Sequence, residues 1–268
     1  MKYFCKNKQY TCLGAYDGMI SSLEHLGVQE EDQFIAMSFF DFSGFQSIRW
    51  ALSQMQLGHE RLRGLEGLEM HRLLGVGGGN GYSFWPNFKR YAMLTVWEHP
   101  SDWLMHRNRG LFKEYSERAI AERTFLLGVL RAHGSWHGFS NLRPIADHES
   151  PQRTQGPLAM LTRARVNNHF LRSFWKHTPR VSAQHANSEG VLFSQGIGEL
   201  PWVEQATFSI WDGPDSMMHF ASTGAHAKAM RDTVKKKGFG ENLFAKLTVY
   251  GWLGFGLDEG EIAIPKVG

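Results

Sequence analysis

Two stretches of this chain have the apolar clustering of buried strands, and the same series of predicted elements follows each of them. The stretches are FIAMSFFDF (34–42) and LAMLTRARV (158–166). After each, the pattern predicts a helix, two strands, a second helix and a last strand. The second helices begin at HPSDW and GPDSM, which supply capping side chains and a favourable proline in the first turn. The predicted order is therefore βαββαβ, twice.

The two halves also correspond residue by residue. Segments 91–115 and 205–229 share one constant offset at four pairs of positions: Trp97 and Trp211, Glu98 and Asp212, Pro100 and Pro214, and Gly110 and Gly224. Upstream, GVGGG (75–79) and GIGEL (196–200) hold equivalent places in the two series. Self-similarity of this kind indicates a duplication.

A βαββαβ unit is ferredoxin-like, and two copies joined by a linker would pack sheet to sheet into a pseudo-twofold barrel. We therefore predict an α+β protein in which duplicated ferredoxin-like units form a dimeric α/β-barrel type fold. The predicted segments are an N-terminal extension (1–33), a first half (34–138), a linker (139–157), a second half (158–254) and a C-terminal tail (255–268).

Composition narrows the class of ligand. The formal charge of +3 is spread over 268 residues, so nothing in the chain calls for a nucleic acid partner. Nine tryptophans and nineteen phenylalanines favour a packed core or an apolar ligand pocket.

Cys5 and Cys12 lack the spacing of a metal site or a disulfide framework. With no run of eighteen apolar residues and no signal-peptide pattern, we expect a cytoplasmic protein. Peripheral membrane contact and homo-oligomerisation stay open.

The second helix of the second half has unusually small side chains around one histidine. Small residues occupy positions 222–225 and 227 on either side of His226, and the repeat places Phe112 opposite that histidine. A haem iron would explain the pattern, because a flat porphyrin must come within bonding distance of a helical imidazole. The alternative is that Gly224 and the alanines permit close packing, with His226 a core residue. His219, one heptad earlier, is a competing ligand.

Other motifs give weaker evidence of a binding site. The run GVGGGNGYSF matches neither phosphate-loop template and is better interpreted as a turn between strands. HGSWH (133–137) suits the end of a strand better than a metal site. Arg163 and Arg165 lie two apart on a strand and so face the same way, either toward haem propionates or within a solvated or ion-paired face.

A family resemblance rests on these same stretches. LTRARV, FLRSFW and the block GIGELPWVEQATFSIW resemble the spheroidene monooxygenase family, the acyclic carotenoid 2-ketolases of bacteria. GVGGGNGYSFWPN (75–87) resembles that family's glycine-rich loop with its aromatic residue and Pro-Asn pair. The likeness runs from about Phe34 to Gly254 and is densest between 158 and 230.

The resemblance implies a haem-containing oxygenase that introduces a keto group beside the end of a linear carotenoid, with dioxygen and an external electron donor. It implies haem b as cofactor and His226 as its axial ligand, since the family's Gly-x-His segment matches Gly224-Ala225-His226. On this hypothesis the propionates would bind Arg163, Arg165 and Arg231. The candidates for lining the substrate channel are Trp97, Trp211, Phe208 and Met218.

Two alternatives remain at this stage. One is another haem enzyme on the same barrel, such as a dehydratase or a peroxidase-like protein, which would need no electron donor. The other is a non-catalytic barrel that binds a small apolar molecule, in which His226 only packs. The expected partners of the first interpretation are a carotenoid-like apolar substrate and an electron-transfer protein.

Overall fold

The computed structural model describes residues 23–78, 85–200 and 203–256, and within them the elements follow the predicted order. The first half consists of β1 (Phe34–Asp41), α1 (Phe45–Leu62), β2 (Leu68–Gly77), β3 (Pro86–Trp97), α2 (Pro100–His106), α3 (Gly110–Arg118) and β4 (Ala121–Gly134). A short helix, α4 (Pro151–Gln155), lies in the segment between the halves. The second half consists of β5 (Leu158–Val166), α5 (Leu171–Ala186), β6 (Val191–Leu200), β7 (Glu204–Trp211), α6 (Pro214–Ser222), α7 (Gly224–Lys235) and β8 (Phe239–Phe255), with a 3₁₀ turn (Asn168–Phe170) before α5.

The strand order confirms the predicted fold class. Hydrogen bonding runs β1-β3-β2-β6-β7-β5-β8-β4 and closes into a barrel. Each half contributes its strands in the same order, β4-β1-β3-β2 in the first and β8-β5-β7-β6 in the second. This is the duplicated ferredoxin-like arrangement that the repeat predicts. The paired sequences GVG and GIG also meet, because Gly75 lies opposite Gly198 and Val76 opposite Ile197 in the antiparallel pair of β2 and β6.

The described chain divides into two compact units. The first comprises residues 23–73, 93–128 and 250–256, and the second comprises 74–78, 85–92, 129–200 and 203–249. Most of the predicted N-terminal extension, most of the C-terminal tail and most of the glycine-rich turn after β2 lie outside the described residues. Among the described helices, none is long and apolar enough to cross a membrane.

The second helix predicted in each half is two helices in the structure, because the chain breaks within it in both halves. In the first half α2 ends at His106 and α3 begins at Gly110, and in the second α6 ends at Ser222 and α7 begins at Gly224. Gly110 has φ 51° and Gly224 has φ 62°, in the left-handed region that glycine alone enters without steric strain. The repeated glycine therefore marks a repeated break, a feature that helical periodicity does not register.

The core of the first unit is aromatic. Trp97 is fully buried between His106 and Phe112, whose ring centroids lie 5.5 Å and 5.9 Å from its own. Phe112 thus fills the position that the repeat assigns to His226. Burying side chains of this size stabilises the fold by about 1.5–3 kcal/mol each, so the first unit uses this position for packing.

The core of the second unit is also aromatic, at the start of α6. Trp211, Met217 and Phe220 form a buried cluster against which Met160, Val181 and Val191 pack. The indole Nε1 of Trp211 donates to Ser209 Oγ at 3.0 Å, so the fully buried ring leaves no polar atom without a partner.

The two equivalent glycines give a matched test of the helix break. Gly110→Ala is expected to lower the free energy of unfolding by about 1 kcal/mol, the strain of a left-handed alanine, because nothing lies within 4 Å of the added Cβ. Gly224→Ala is expected to lower it by roughly 1 kcal/mol more. Its Cβ would meet Gln184 Oε1 at 2.6 Å and displace the hydrogen bonds that this side chain makes.

Urea denaturation of the two variants and the parent protein measures the difference. Equal losses in both variants would show that Gln184 does not hold the start of α7.

Candidate active site

A cavity in the second unit lies between its helices and its sheet. One wall comes from α5 and α7, and the opposite wall comes from β5, β6 and β7, with the end of β2 beside them. The lining is mostly apolar and includes Phe170, Phe174, Trp175, Ile197, Met230 and Phe239. Such a lining with few polar groups is typical of a site for a large apolar ligand.

Part of the sheet wall is bare backbone. Gly75, Gly77, Gly196 and Gly198 all line the cavity. A Cβ built on Gly198 would meet the carbonyl oxygen of Glu204 at 2.5 Å, so this glycine permits the approach of β7. A Cβ on Gly75 would meet only the Gly198 carbonyl oxygen at 3.6 Å, an ordinary contact. Packing therefore does not require the glycine at position 75, and the missing side chain leaves room for a ligand.

His226 belongs to the helix wall of this cavity, and its backbone is fixed. It is the third residue of α7, one of the positions whose amide lacks a partner within the helix. Gln184 on α5 supplies that partner, because its Oε1 accepts from the His226 N–H at 3.0 Å. The same carboxamide donates to the Thr223 carbonyl at 3.3 Å. Gln184 therefore caps the start of the helix that carries the histidine.

The imidazole of His226 is oriented as well. Burial lowers its pKa, and the Ala221 carbonyl only partly offsets this, so the ring is neutral near pH 7. Nδ1 lies 3.2 Å from that carbonyl oxygen, which can only accept a hydrogen bond, so Nδ1 carries the proton. Nε2 keeps its lone pair, and no group in the described chain hydrogen-bonds to it. An imidazole held in this way by a backbone carbonyl is the usual state of a metal-ligating histidine.

A second histidine, His185 on α5, lies close by but is a core residue. Its side chain is fully buried, with ring centroids 5.2 Å from Trp211 and 4.9 Å from Phe220. Burial lowers the pKa of His185 to about 4, and the nearby His226 contributes to the decrease. The histidine that the sequence offered as a competing ligand, His219, is instead exposed on α6 and does not line the cavity.

The aromatic residues proposed as substrate lining do not line the cavity. Trp97 is buried in the first unit, and Trp211 lies in the cluster under α6. Phe208 follows Thr207, a lining residue, so it faces the other side of β7, where it packs on Phe193. Met218 is 57% exposed on α6. The apolar face of α5 is the sequence pattern that could have identified the residues lining this cavity, and the sequence analysis did not use it.

The arginines proposed to bind propionates are placed elsewhere. Along β5, Thr162 and Ala164 line the cavity, so Arg163 and Arg165 extend from the opposite face of the strand. Arg163 is fully buried, and its Nη1 lies 2.6 Å from Glu241 and its Nη2 3.5 Å from Glu204. Arg231 is exposed on α7 and is absent from the cavity lining. Of the proposed cofactor residues, only His226 lines the cavity, while Gly224 starts its helix.

The charges around Arg163 form a network that sequence reasoning missed. Burial raises the pKa of the Glu241 carboxyl, but hydrogen bonds from the Gly138 amide, the Ser135 hydroxyl and the Arg163 guanidinium outweigh it and bring the pKa to about 2. Glu241 is therefore ionised and holds Arg163 in place. The strand pairing that brings Glu241 to β5 cannot be inferred from either residue alone.

Three further ligand-type residues meet in this network. His137 Nε2 lies 3.0 Å from Glu199 Oε2 and 3.2 Å from Glu204 Oε2, a grouping that is compatible with a metal ion. Arg163 Nη2, however, lies 3.4 Å from the same Nε2. The guanidinium already supplies positive charge where an ion would bind, so we interpret the group as part of the ion-pair network.

The residues of the cavity fit a haem group. The helix wall offers one oriented, neutral imidazole, the sheet wall is flattened by glycine, and the remaining lining is apolar. His226 would be the iron ligand, and Gly75 would leave space for the ring. His226 comes from the second half of the chain and Gly75 from the end of β2 in the first half, and both belong to the second compact unit.

Comparison with known proteins identifies relatives that are named spheroidene monooxygenase. The spheroidene monooxygenase of Rhodobacter capsulatus is 30% identical over 226 residues, which cover 82% of this chain and 92% of that protein. The spheroidene monooxygenase of Cereibacter sphaeroides is 30% identical over 227 residues, which cover 83% of this chain and 68% of that protein. No family model matches the chain.

Solved structures support the fold. A crystal structure of an aldoxime dehydratase in complex with butyraldoxime superposes with a TM-score of 0.51 at 10% identity. The superposition covers 83% of this chain and 81% of that one. At this identity the likeness shows a shared fold and nothing about chemistry.

The depressed pKa of His185 predicts acid sensitivity. Since the pKa of His185 falls from 6.5 to about 4 on folding, the unfolded chain binds more protons than the folded protein between these pH values. The stabilisation is therefore complete above pH 6.5 and is lost as the pH falls toward 4, by about 3 kcal/mol at most. Urea denaturation at a series of pH values should show this loss.

His185→Phe should flatten the slope in this pH range, and His219→Ala, which changes an exposed histidine, should leave it unchanged. A slope that persists in His185→Phe would assign the acid sensitivity to other groups.

Proposed function

The chain belongs to the spheroidene monooxygenase family and is a monooxygenase, and from this premise we propose that it is haem-dependent and introduces a keto group into a linear carotenoid or a similar apolar substrate. The observation that carries the haem assignment is the state of His226. Its Nδ1 is engaged by the Ala221 carbonyl and its Nε2 is left with a free lone pair on the wall of an apolar cavity.

The cavity supports the choice of an apolar substrate. Phe174, Trp175 and Phe239 give it an aromatic lining. Within the described helix wall, His177 is already paired, since its Nε2 lies 3.1 Å from Asp232 Oδ2. A polyene would be held by dispersion and by exclusion of water, which are non-directional and suit a long uniform chain.

The chemistry on this proposal uses two hydroxylations at one carbon. Each consumes one dioxygen molecule, two electrons and two protons and releases one water, and the resulting geminal diol loses water to give the ketone. Haem, when bound, supplies the activation of dioxygen. The protein residues bind and orient the reactants and exclude bulk water, and an external protein or small reductant delivers the electrons.

Removing the imidazole tests the haem assignment. Protein expressed with a supply of haem should show a strong Soret band that shifts on addition of dithionite. His226→Ala should lose almost all of it, because no other described histidine on the cavity wall has a free, oriented Nε2. His177→Ala is the matched control, since His177 lines the same cavity but is ion-paired, and it should keep the band.

Gly75→Val tests the fit without touching the ligand. It should lower haem uptake by filling the cavity, while thermal stability stays level or rises, since valine in a strand is favoured over glycine by up to about 1 kcal/mol. A colourless parent protein that takes up no added hemin would refute the haem assignment. A band retained in His226→Ala would assign the ligand to another residue.

Turnover tests the reaction. With a linear carotenoid, dioxygen and a reductant, the parent protein should form a ketone. The ketone is detected by its red-shifted absorption and by a mass change of one oxygen gained and two hydrogens lost, with the oxygen labelled from ¹⁸O₂. Omitting the reductant should abolish the product. Dehydration of an aldoxime without dioxygen would favour the second candidate, a haem dehydratase on this fold. His226→Ala should be inactive in either reaction.

A further inference from the structure

Four of the described threonines line the cavity, and they divide into two kinds. Thr178 on α5 donates to the Phe174 carbonyl at 3.0 Å, and Thr233 on α7 donates to the Ala229 carbonyl at 2.8 Å. Both are helical threonines that hydrogen-bond one turn back along their own helix, as such residues commonly do. Their hydroxyls are thereby satisfied within the helix wall.

The other two threonines lie on the sheet wall and are different. Thr162 on β5 and Thr207 on β7 are directly opposite one another in the antiparallel register. Residues paired in this way have Cβ atoms about 5 Å apart, close enough for two threonine hydroxyls to bond. Neither hydroxyl bonds to the other or to any group in the described chain. Both residues are half-buried, with their accessible surface facing the cavity.

Two unpaired hydroxyls on a mostly apolar wall, whose other polar side chain in the described chain is Gln205, point to a polar ligand atom. Valine has nearly the shape of threonine and would serve the packing without a polar group to desolvate. The neighbours of the pair on the same sheet wall are Ala164, the glycines of β6 and Gln205 on β7, and none of them hydrogen-bonds to either hydroxyl within the described chain. Threonine at both positions is therefore explained by hydrogen bonding to something within the cavity.

The two threonines and His226 occupy opposite walls. His226 lies on the helix wall, and the pair lies on the sheet wall of the same cavity. On the haem assignment made above, on which this inference rests, His226 would hold the haem from the helix wall, and the haem would supply the site of dioxygen binding. We propose that Thr162 and Thr207, on the sheet wall, are the hydrogen-bond donors that orient dioxygen there.

The test uses haem-loaded protein and fluoride, a small anion that binds ferric haem and accepts hydrogen bonds. Thr162→Val and Thr207→Val should each weaken fluoride binding about tenfold, or about 1.4 kcal/mol, the loss of one hydrogen bond to a charged group. Thr162→Ser and Thr207→Ser should restore the affinity because they keep the hydroxyl. The C–O stretching frequency of carbon monoxide on the reduced protein should shift in the valine variants and return in the serine variants.

Thr178→Val and Thr233→Val are the matched controls, since they remove hydroxyls from the same cavity that already have partners. They should leave fluoride affinity and the carbon monoxide frequency unchanged. A normal Soret band with equal fluoride affinities in all four valine variants would overturn the threonine assignment and leave the haem assignment intact. A parent protein that binds no haem would overturn both.

Discussion

The register in which β5, β7 and β6 pair decides the chemistry of the second unit. Successive side chains on a strand face opposite sides, so one fixed register sends Thr162 and Ala164 to the cavity and Arg163 and Arg165 to the charged network. A slip of one residue would exchange the two sets, placing a guanidinium in the apolar cavity and an alanine among carboxylates. The ion pair between Arg163 and Glu241 opposes such a slip, because a buried charge without its partner is strongly destabilising.

The position of His226 depends on three local contacts that act on different parts of the residue. The left-handed Gly224 starts the helix, Gln184 fixes the backbone amide, and the Ala221 carbonyl fixes the ring. Because α6 ends just before this point, the Ala221 carbonyl at its end is free to accept from the imidazole. The helix break is thus part of how the ligand is oriented, and an unbroken helix would use that carbonyl for its own hydrogen bonds.

The duplication separates scaffold from function. Both halves keep the strand order, the helix break and the buried tryptophan at the end of the third strand. At the equivalent helical position, however, the first half has Phe112 packed on Trp97, and the second has His226 beside a cavity. The equivalent position therefore packs into the core in the first half and lines the cavity in the second.

The sequence by itself determined the repeat, the strand and helix order, the family, and His226 as the histidine flanked by small residues. The repeat, the element order and the histidine follow from local periodicity and spacing, and the family follows from the resemblance of whole stretches of sequence. None of these requires knowledge of contacts between distant residues. Only the tertiary structure decided that Arg163 pairs with Glu241, that Met218 is exposed, that Phe208 faces away from the cavity, and that Thr162 meets Thr207. Each of these depends on which strand lies beside which and on which face the helices cover, and those relations join residues that are far apart in sequence.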